Sequence, residues 1–498
     1  MKEYRKTELI QYADGYLTVF LTLSLTVMLS LVLVLFEGAR INAVRMKTET
    51  AGNIAVRSVL GEFHRELLRQ YDLYFIDTSY GTGAGSLDNV RRHLQDYMEK
   101  NLDSGSPPSF GLNGDFTRTS LTGLTVDGAR FAADDRAKAL REQVYAYMSA
   151  SPGGGVLADI LARTDTWQGL LEDGSVWEKK RKEASEDLKE GIRDAKRDAQ
   201  ENHTARERQE AREDGDNTAE KAIKEMDRFH ALPLLRQVFG DTSGISTEST
   251  GGNVLSKRGI HYGDALQPDN SHGYPRADEA LFDMYLGERF GSYTVPLEKG
   301  KLKYQLEYIL CGEETDDLNM EKTAEKLFLI RMASNCACLF ADAGRTGEAE
   351  AVAAVVALVL LSPELKDLFK TALLFAWAYL ESVRDLRTLF DGGRVPLHKT
   401  PGEWKTSLLD LLVPEMSIAG GGSGSGLLYT EYLQGLLFLE GSSIKSLRTM
   451  DVMEMDIRLT EGNGGFCMDW CMDAFSMTAV VKSRSGYEFE LKKCEGYD

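Results

Sequence analysis

The sequence predicts an α+β protein hung from a single N-terminal transmembrane helix that continues outward as a stalk. Three observations carry that expectation. The first is Leu17–Phe36 (LTVFLTLSLTVMLSLVLVLF), which contains no charge, proline or glycine. At about 1.5 Å per residue, a helix of that length matches the roughly 30 Å hydrocarbon core of a bilayer. The second is the helical spacing beyond the apolar run: Ile41, Val44, Ala51, Ala55, Val56, Val59, Leu60, Phe63 and Leu67, with no proline before Pro107. The third is the pattern of the rest, long helical stretches with a few alternating runs. It predicts a mostly helical ectodomain carrying small antiparallel β elements.

Composition sets the outer bounds. The chain is 43% hydrophobic and 27% charged, enough for a folded core, and its formal charge is −19. An acidic ectodomain lacks the clustered Lys and Arg that nucleic acid requires, so no nucleic-acid partner is expected. Anionic lipids and polymers are expected to repel it as a whole. Six cysteines (Cys311, Cys336, Cys338, Cys467, Cys471, Cys494) are too few for a disulfide scaffold at this length. Reduced thiols packed as small hydrophobes are the favoured reading, with Cys471 to Cys494 or Cys467 the preferred bridge if one forms.

Residues 1–15 (MKEYRKTELIQYADG) read as a short cytoplasmic tail and 16–36 as the span. The apolar run exceeds a cleaved signal's usual core and no small-x-small site follows, which favours a retained signal-anchor. Lys2, Arg5 and Lys6 before the span balance Arg40, Arg45 and Lys47 after it, so charge leaves the orientation open. The ectodomain is placed outside the cell membrane on other grounds, given below. Thr18, Thr22, Thr26 and Ser30 recur along one stripe. They either form a face for self-association in lipid or bond back to their own helix carbonyls. Glu37 and Arg40 form a compatible pair at the exit. Residues 37–72 then read as an amphipathic stalk helix, weakened at Gly38, Gly52 and Gly61 and reaching about Gln70.

These residues resemble the N-termini of TadE- and TadG-like proteins of tight-adherence pilus systems, in which a glycine precedes the span and an acidic-small-Arg cluster closes it. Here Gly15 opens it and Glu37-Gly38-Ala39-Arg40 closes it. A closer likeness is to an uncharacterised Gram-positive envelope family, carried by Gly15–Leu23 and Glu66–Asp77. It resumes at Leu302–Gly312, Ala372–Lys399, Leu427–Leu439 and Met450–Arg458. The resemblance implies an envelope location, an ectodomain outside, and association with pilus-like secretion loci. It implies no reaction. Pilin precursors are cut after the glycine and carry a Glu near the fifth mature position. Phe20 stands there in this chain, which argues against cleavage after Gly15 and against assembly as a major pilin.

The remaining segments follow in order. Residues 73–176 read as an α+β segment, with a strand at Leu73–Thr78, a helix at Ser86–Asn101 leading to a Pro107-Pro108 loop, and a strand or hairpin at Leu121–Phe131. A helix at Ala132–Met148 completes it. Residues 177–229 form a charged helical arm. From Glu178 to Asp216, 24 of 39 residues are charged, with a thin apolar stripe of Ala184, Leu188, Ile192, Ala195 and Ala199. A solvated helix or one arm of a projecting hairpin is preferred over a coiled-coil docking arm. Residues 230–277 read as a loop-rich linker and 278–418 as a helical core. In that core Lys303–Leu310 is strand-like, Ala351–Leu361 is a buried helix too short to span a membrane, and Leu373–Leu389 is a second helix. Residues 419–426 form a Gly/Ser linker. The C-terminal α+β segment, 427–498, has a helix at Leu427–Leu439, a strand at Met450–Leu459 and a hairpin at Met477–Leu491 around Ser483–Gly486.

No residue set earns a catalytic, cofactor or metal assignment. GGGSGSG lacks the Lys-Ser/Thr of a phosphate loop, and Gly344–Gly347 fails the same test. Histidines are scattered and G-x-S-x-G is absent. Cys467 and Cys471 with Asp469 and Asp473 are a weak metal candidate. The expectation is a non-enzymatic, single-pass envelope protein with a structural or assembly role in a pilus-like surface system. Its partners would be the bilayer through Leu17–Phe36, other envelope proteins, and a second copy through Thr18, Thr22, Thr26 and Ser30. A ligand-binding or sensing ectodomain is the alternative, followed by a surface hydrolase.

Overall fold

Helix α1 runs unbroken from Tyr4 to Leu60 in a computed structural model that describes residues 4–103, 118–149, 154–202, 218–264, 266, 276–417 and 425–497. The Pro107-Pro108 loop, the outer part of the charged arm and most of the Gly/Ser linker lie outside the described residues. Between Leu17 and Phe36 no residue is buried by the rest of the chain. From Val44 inward the same helix buries Val44, Thr48, Ala51, Ala55, Val56 and Val59.

The helix stops earlier than its spacing predicts. Gly61 N–H reaches the Arg57 carbonyl at 2.9 Å and Glu62 N–H the Val59 carbonyl at 2.9 Å, closing the last turn. A separate helix, α2 (Arg65–Tyr71), begins after His64, whose ring nitrogen accepts from Leu67 N–H at 3.3 Å. The stalk is therefore two helices. Phe63 and Leu67 keep the period but follow a glycine that is the weakest point for helix propagation.

Beside α1 lies one antiparallel sheet assembled from distant parts of the sequence. Strand β3 (Cys471–Ser483) is its centre. β2 (Thr119–Phe131) pairs along one edge, and β4 (Glu488–Gly496) along the other, with Ala479 opposite Leu491. The strand expected at Leu73–Thr78 is only β1 (Ile76–Asp77), which extends the β4 edge with Ile76 opposite Met472. Helix α3 (Leu87–Leu102) lies with α1 on one face, burying Val90, Leu94, Met98 and Leu102 against Met477, Ala479, Val481 and Leu491. The close approach of α1 uses Gly52, where a Cβ would fall 2.3 Å from Leu491 Cδ2.

A larger helical body packs on the far end of this sheet. It comprises α4 (Asp134–Ser149), α5 (Gly154–Asn202), α6 (Thr218–His230), α7 (Leu234–Phe239), α8 (Arg276–Arg289) and α9 (Gln305–Cys311). It continues with α10 (Asp316–Ala341), α11 (Ala343–Val359), α12 (Lys366–Phe390), α13 (Pro414–Ser417), α14 (Tyr429–Leu439) and α15 (Ser442–Arg458). Helix α5 crosses α10 so closely that a Cβ on Gly174 would sit 2.1 Å from the Leu329 carbonyl oxygen. The composition change near residue 177 falls inside α5.

Several expectations change here. The inner part of the charged arm packs on the body: Leu188 and Ala195 are buried and Gly191 faces Leu365. Helix α6 returns antiparallel beside it, with Lys189 and Asp227 3.1 Å apart. The strand-like Lys303–Leu310 is mostly α9, and Met450–Leu459 belongs to α15. Every residue from Tyr304 to Leu310 and from Thr449 to Ile457 is buried. With no solvent face, such helices lose the 3.6-residue signature, and chance alternation reads as a strand. Ala351–Leu361 is only half covered, since Val355 and Leu358 are exposed on α11. The chain turns by 83° between α10 and α11, where the Asp342 carboxylate caps the new helix by accepting from Gly344 and Arg345 N–H.

Candidate membrane-anchoring site

The candidate site is the apolar half of α1 together with the seat that holds its other half. Their junction is continuous helix, so the span and the sheet are mechanically one element. At the exit, Arg40 Nη1 lies 3.8 Å from Glu37 Oε2, the pair expected from the spacing. One turn on, the Arg45 guanidinium stands 5.6 Å from the Phe489 ring centroid, linking α1 to β4. At the outer end Tyr497 donates to the Leu60 carbonyl at 2.5 Å. The hydroxyl stripe bonds back to its own helix: Thr22 to the Thr18 carbonyl at 2.9 Å, Thr26 to Thr22 at 2.7 Å and Ser30 to Val27 at 2.8 Å. These bonds satisfy the hydroxyls internally and leave the stripe narrow and smooth.

The weak metal candidate does not assemble as its spacing suggested. Cys467 and Cys471 flank a short 3-10 turn rather than sharing a helix face, and Asp473 pairs instead with Arg130, Oδ2 to Nη2 at 2.5 Å. The structure brings Glu454, missed in the sequence, beside Cys467 and Asp469, with donor atoms within 4.8 Å of one another. Two guanidinium groups already engage this cluster. Arg258 contacts Glu454 at 2.5 Å and Asp469 at 2.5 Å, while Arg458 reaches Glu454 at 2.5 Å and the Cys467 sulfur at 3.4 Å. A divalent cation there would face that positive charge directly. Cys311, Cys336, Cys338, Cys467 and Cys471 are free thiols, so neither preferred bridge is formed.

The buried acids have a consistent use. Asp451 accepts from Ser256 N–H at 2.8 Å and from the Tyr308 hydroxyl at 2.8 Å. Glu454 accepts from Met468 N–H at 2.9 Å, and Asp456 from Lys301 N–H at 2.8 Å and Gln305 at 2.7 Å. Glu307 holds Tyr293 N–H at 2.8 Å and the Tyr429 hydroxyl at 2.6 Å. Glu381 takes Thr406 N–H at 2.8 Å. Each carboxylate satisfies loop N–H groups that have no sheet or helix partner. Burial pushes Asp456 up to about 6 and Glu307 up to about 7, with these hydrogen bonds pulling the other way. The MDVMEMDIR segment is thus a stapling helix whose acids hold three loops. An acid every two or three residues inside an apolar run was the available sequence signal.

A second buried cluster joins α10, α12 and the loop after α12. Arg331 Nη2 lies 3.0 Å from Asp385 Oδ2, and Lys399 Nζ is 2.6 Å from Asp385 Oδ1 and also pairs with Glu381. Two cations and two anions therefore balance in the dark of the core. Separately, an open groove of about 680 Å³ lies between 244–248, 293–304 and 390–392. Tyr293, Tyr304 and Phe390 line it with Glu248, Lys303 and Asp391.

Residues 212–483 match the model of a family of unknown function, DUF5702. That region takes in α6 to α15, with their stapling acids, and strand β3. No curated protein and no solved structure matches the chain. Since the match covers more than half of its length, the chain belongs to the DUF5702 family of unknown function.

Proposed function

We propose that this chain is a non-catalytic, single-pass envelope protein that acts as a structural or assembly component of a pilus-like surface system. The observation that carries the proposal is the continuity of α1, apolar and uncovered through Leu17–Phe36, then buried against a small antiparallel sheet from Val44 to Val59. A helix built this way transmits position between bilayer and ectodomain, with no linker to dissipate it. The N-terminal likeness to TadE- and TadG-like proteins and to a Gram-positive envelope family supports the pilus association, with the tail inside and the ectodomain outside. The internally bonded Thr/Ser stripe offers a close-packing surface for a second copy in lipid.

The test combines carbonate extraction with N-terminal sequencing and protease accessibility on intact cells. Retention in the membrane, an intact N-terminus and an accessible ectodomain are expected. Release of the full-length chain by carbonate would overturn the anchor. One observation favours a second reading. The groove lined by Tyr293, Tyr304 and Phe390 with carboxylates beside them suits a small polar ligand with apolar faces. A rise in melting temperature with an oligosaccharide panel, lost in Tyr293→Ala, would support it.

A further inference from the structure

The protein carries −19 overall, yet basic and acidic residues come close to balance where the sheet approaches the apolar span, and exposed arginines stand at the tip of its turn. Three contacts fix the direction of β4 along α1. Phe489 stands at Arg45, Leu491 at Gly52, and Tyr497 at Leu60. β4 therefore runs alongside α1 in the same sense, and the turn joining β3 to β4 points back toward the apolar span. From Gly52 to Glu37 the helix covers about 22 Å, while Leu491 back to Tyr487 covers about 13 Å of strand. The turn Arg484–Gly486 extends further still. Its tip comes within about one helical turn of Glu37, inside the depth of a headgroup layer.

That tip is cationic. Arg484 N–H donates to the Arg118 carbonyl at 3.2 Å, which brings the backbones of two exposed arginines together at the ends of β3 and β2. Lys482 is exposed on the same edge, with its Nζ 2.8 Å from Glu488. Arg40, Arg45 and Lys47 on α1 lie at a similar height. Among the described residues, the acids near this level include Glu37 and Glu49, paired with Arg40 and Arg45, Glu488, Glu490, paired with Lys492, and Glu99 and Asp103 at the end of α3. Juxtaposed arginines repel each other unless an anion lies against them. The anion that the anchor itself would bring to this height is the lipid headgroup.

We propose that Arg118, Lys482 and Arg484 form a membrane-facing lip that binds anionic lipid headgroups and holds the sheet upright on the bilayer. This rests on the reading of Leu17–Phe36 as a membrane span. With α1 fixing depth and the lip fixing rotation, the ectodomain meets the bilayer at two points. A single helix can still tilt and rotate in the bilayer as a rigid unit; a second contact restricts both motions.

The test uses the full chain carrying Ser485→Cys with Cys494→Ser, labelled with a fluorophore and reconstituted into nanodiscs. The discs contain phosphatidylcholine alone or with about 30% phosphatidylglycerol, plus a headgroup-linked quencher. Quenching at position 485 should rise about twofold or more with the anionic lipid and fall again at about 0.5 M salt, where the Debye length shrinks below about 5 Å. The triple variant Arg118→Gln, Lys482→Gln, Arg484→Gln should insert equally well and lose the lipid dependence. Equal quenching in both lipids would overturn the lip while leaving the anchor intact. Failure of the chain to enter discs at all would overturn both, through the anchor.

Discussion

Replacing Asp385 by Asn tests whether the helical body depends on a balanced buried charge cluster. In the native state Arg331, Lys399, Asp385 and Glu381 sum to zero, with side chains no more than 4% exposed. Asparagine keeps the shape and one acceptor, yet leaves two cations against one anion in a site that excludes water. Removing one partner of a buried pair costs about 3–5 kcal/mol, a large share of a typical domain's total stability. Urea unfolding of the detergent-solubilised chain, followed by tryptophan fluorescence, should show the midpoint fall steeply with little change in slope. Adding Arg331→Met removes the excess cation and should recover part of the loss, although Arg331 also donates to the Pro396 carbonyl at 2.7 Å. The reasoning is refuted if Asp385→Asn costs under about 1 kcal/mol, or if the double variant is less stable than the sum of its single changes. The sign with pH agrees. Burial raises the Asp385 carboxyl, but Arg331 and Lys399 outweigh it and leave it below its ordinary value. The stability it contributes is therefore present above pH about 4 and lost as pH falls through its folded value.

Glu307, Asp456 and Asp283 predict the opposite trend at milder pH. Burial raises them to about 7, 6 and 6, so the folded state holds more protons than the unfolded chain from pH about 4 to 7. The melting temperature should therefore be higher at pH 5.5 than at 7.5, and Glu307→Gln should flatten that difference. Asp135, Arg136 and Ala137 sit in consecutive left-handed conformations with φ of 45°, 59° and 61°. Arg136→Gly should stabilise by about 1 kcal/mol in thermal unfolding, since a left-handed L-residue costs about 1–2 kcal/mol. A loss of stability would mean that the arginine side chain holds the turn. Gly174→Ala must push α5 off the Leu329 carbonyl and should cost at least about 1–3 kcal/mol by urea unfolding, whereas an unchanged midpoint would place the helices further apart. Leu25→Arg should release a substantial fraction of the chain from membranes in carbonate, given an insertion penalty of about 2.5–3.5 kcal/mol near the helix centre.

Apart from the uniformly apolar Leu17–Phe36, the elements most legible in the sequence present two unlike faces. Leu17–Phe36 reads as a candidate span from its unbroken apolar length, α3 alternates a buried Val90, Leu94, Met98 stripe with charges, and β3 alternates around Phe475, Met477 and Ala479. What escaped is buried on every side. In α9 and in the Thr449–Ile457 part of α15, hydrophobic and acidic residues alike point into protein, so no solvent face exists to impose a period. The sheet escaped for a different reason: β2 and β3 are some 340 residues apart, and local pattern carries no record of which distant strand completes a layer.

The same residues that defeated the periodicity explain why a strongly acidic chain can fold around so many loops. A loop without ladder partners leaves N–H groups that must be satisfied, and water is excluded beneath α15. Asp451, Glu454 and Asp456 meet that demand from one helix, reaching Ser256, Met468 and Lys301 respectively. Part of the −19 is therefore structural charge turned inward, with Glu454 paired to Arg258 and Arg458. Net charge consequently says little about what any one surface meets. A protein acidic in sum can still expose Arg118, Lys482 and Arg484 close together, because folding sorts charges by position and not by total.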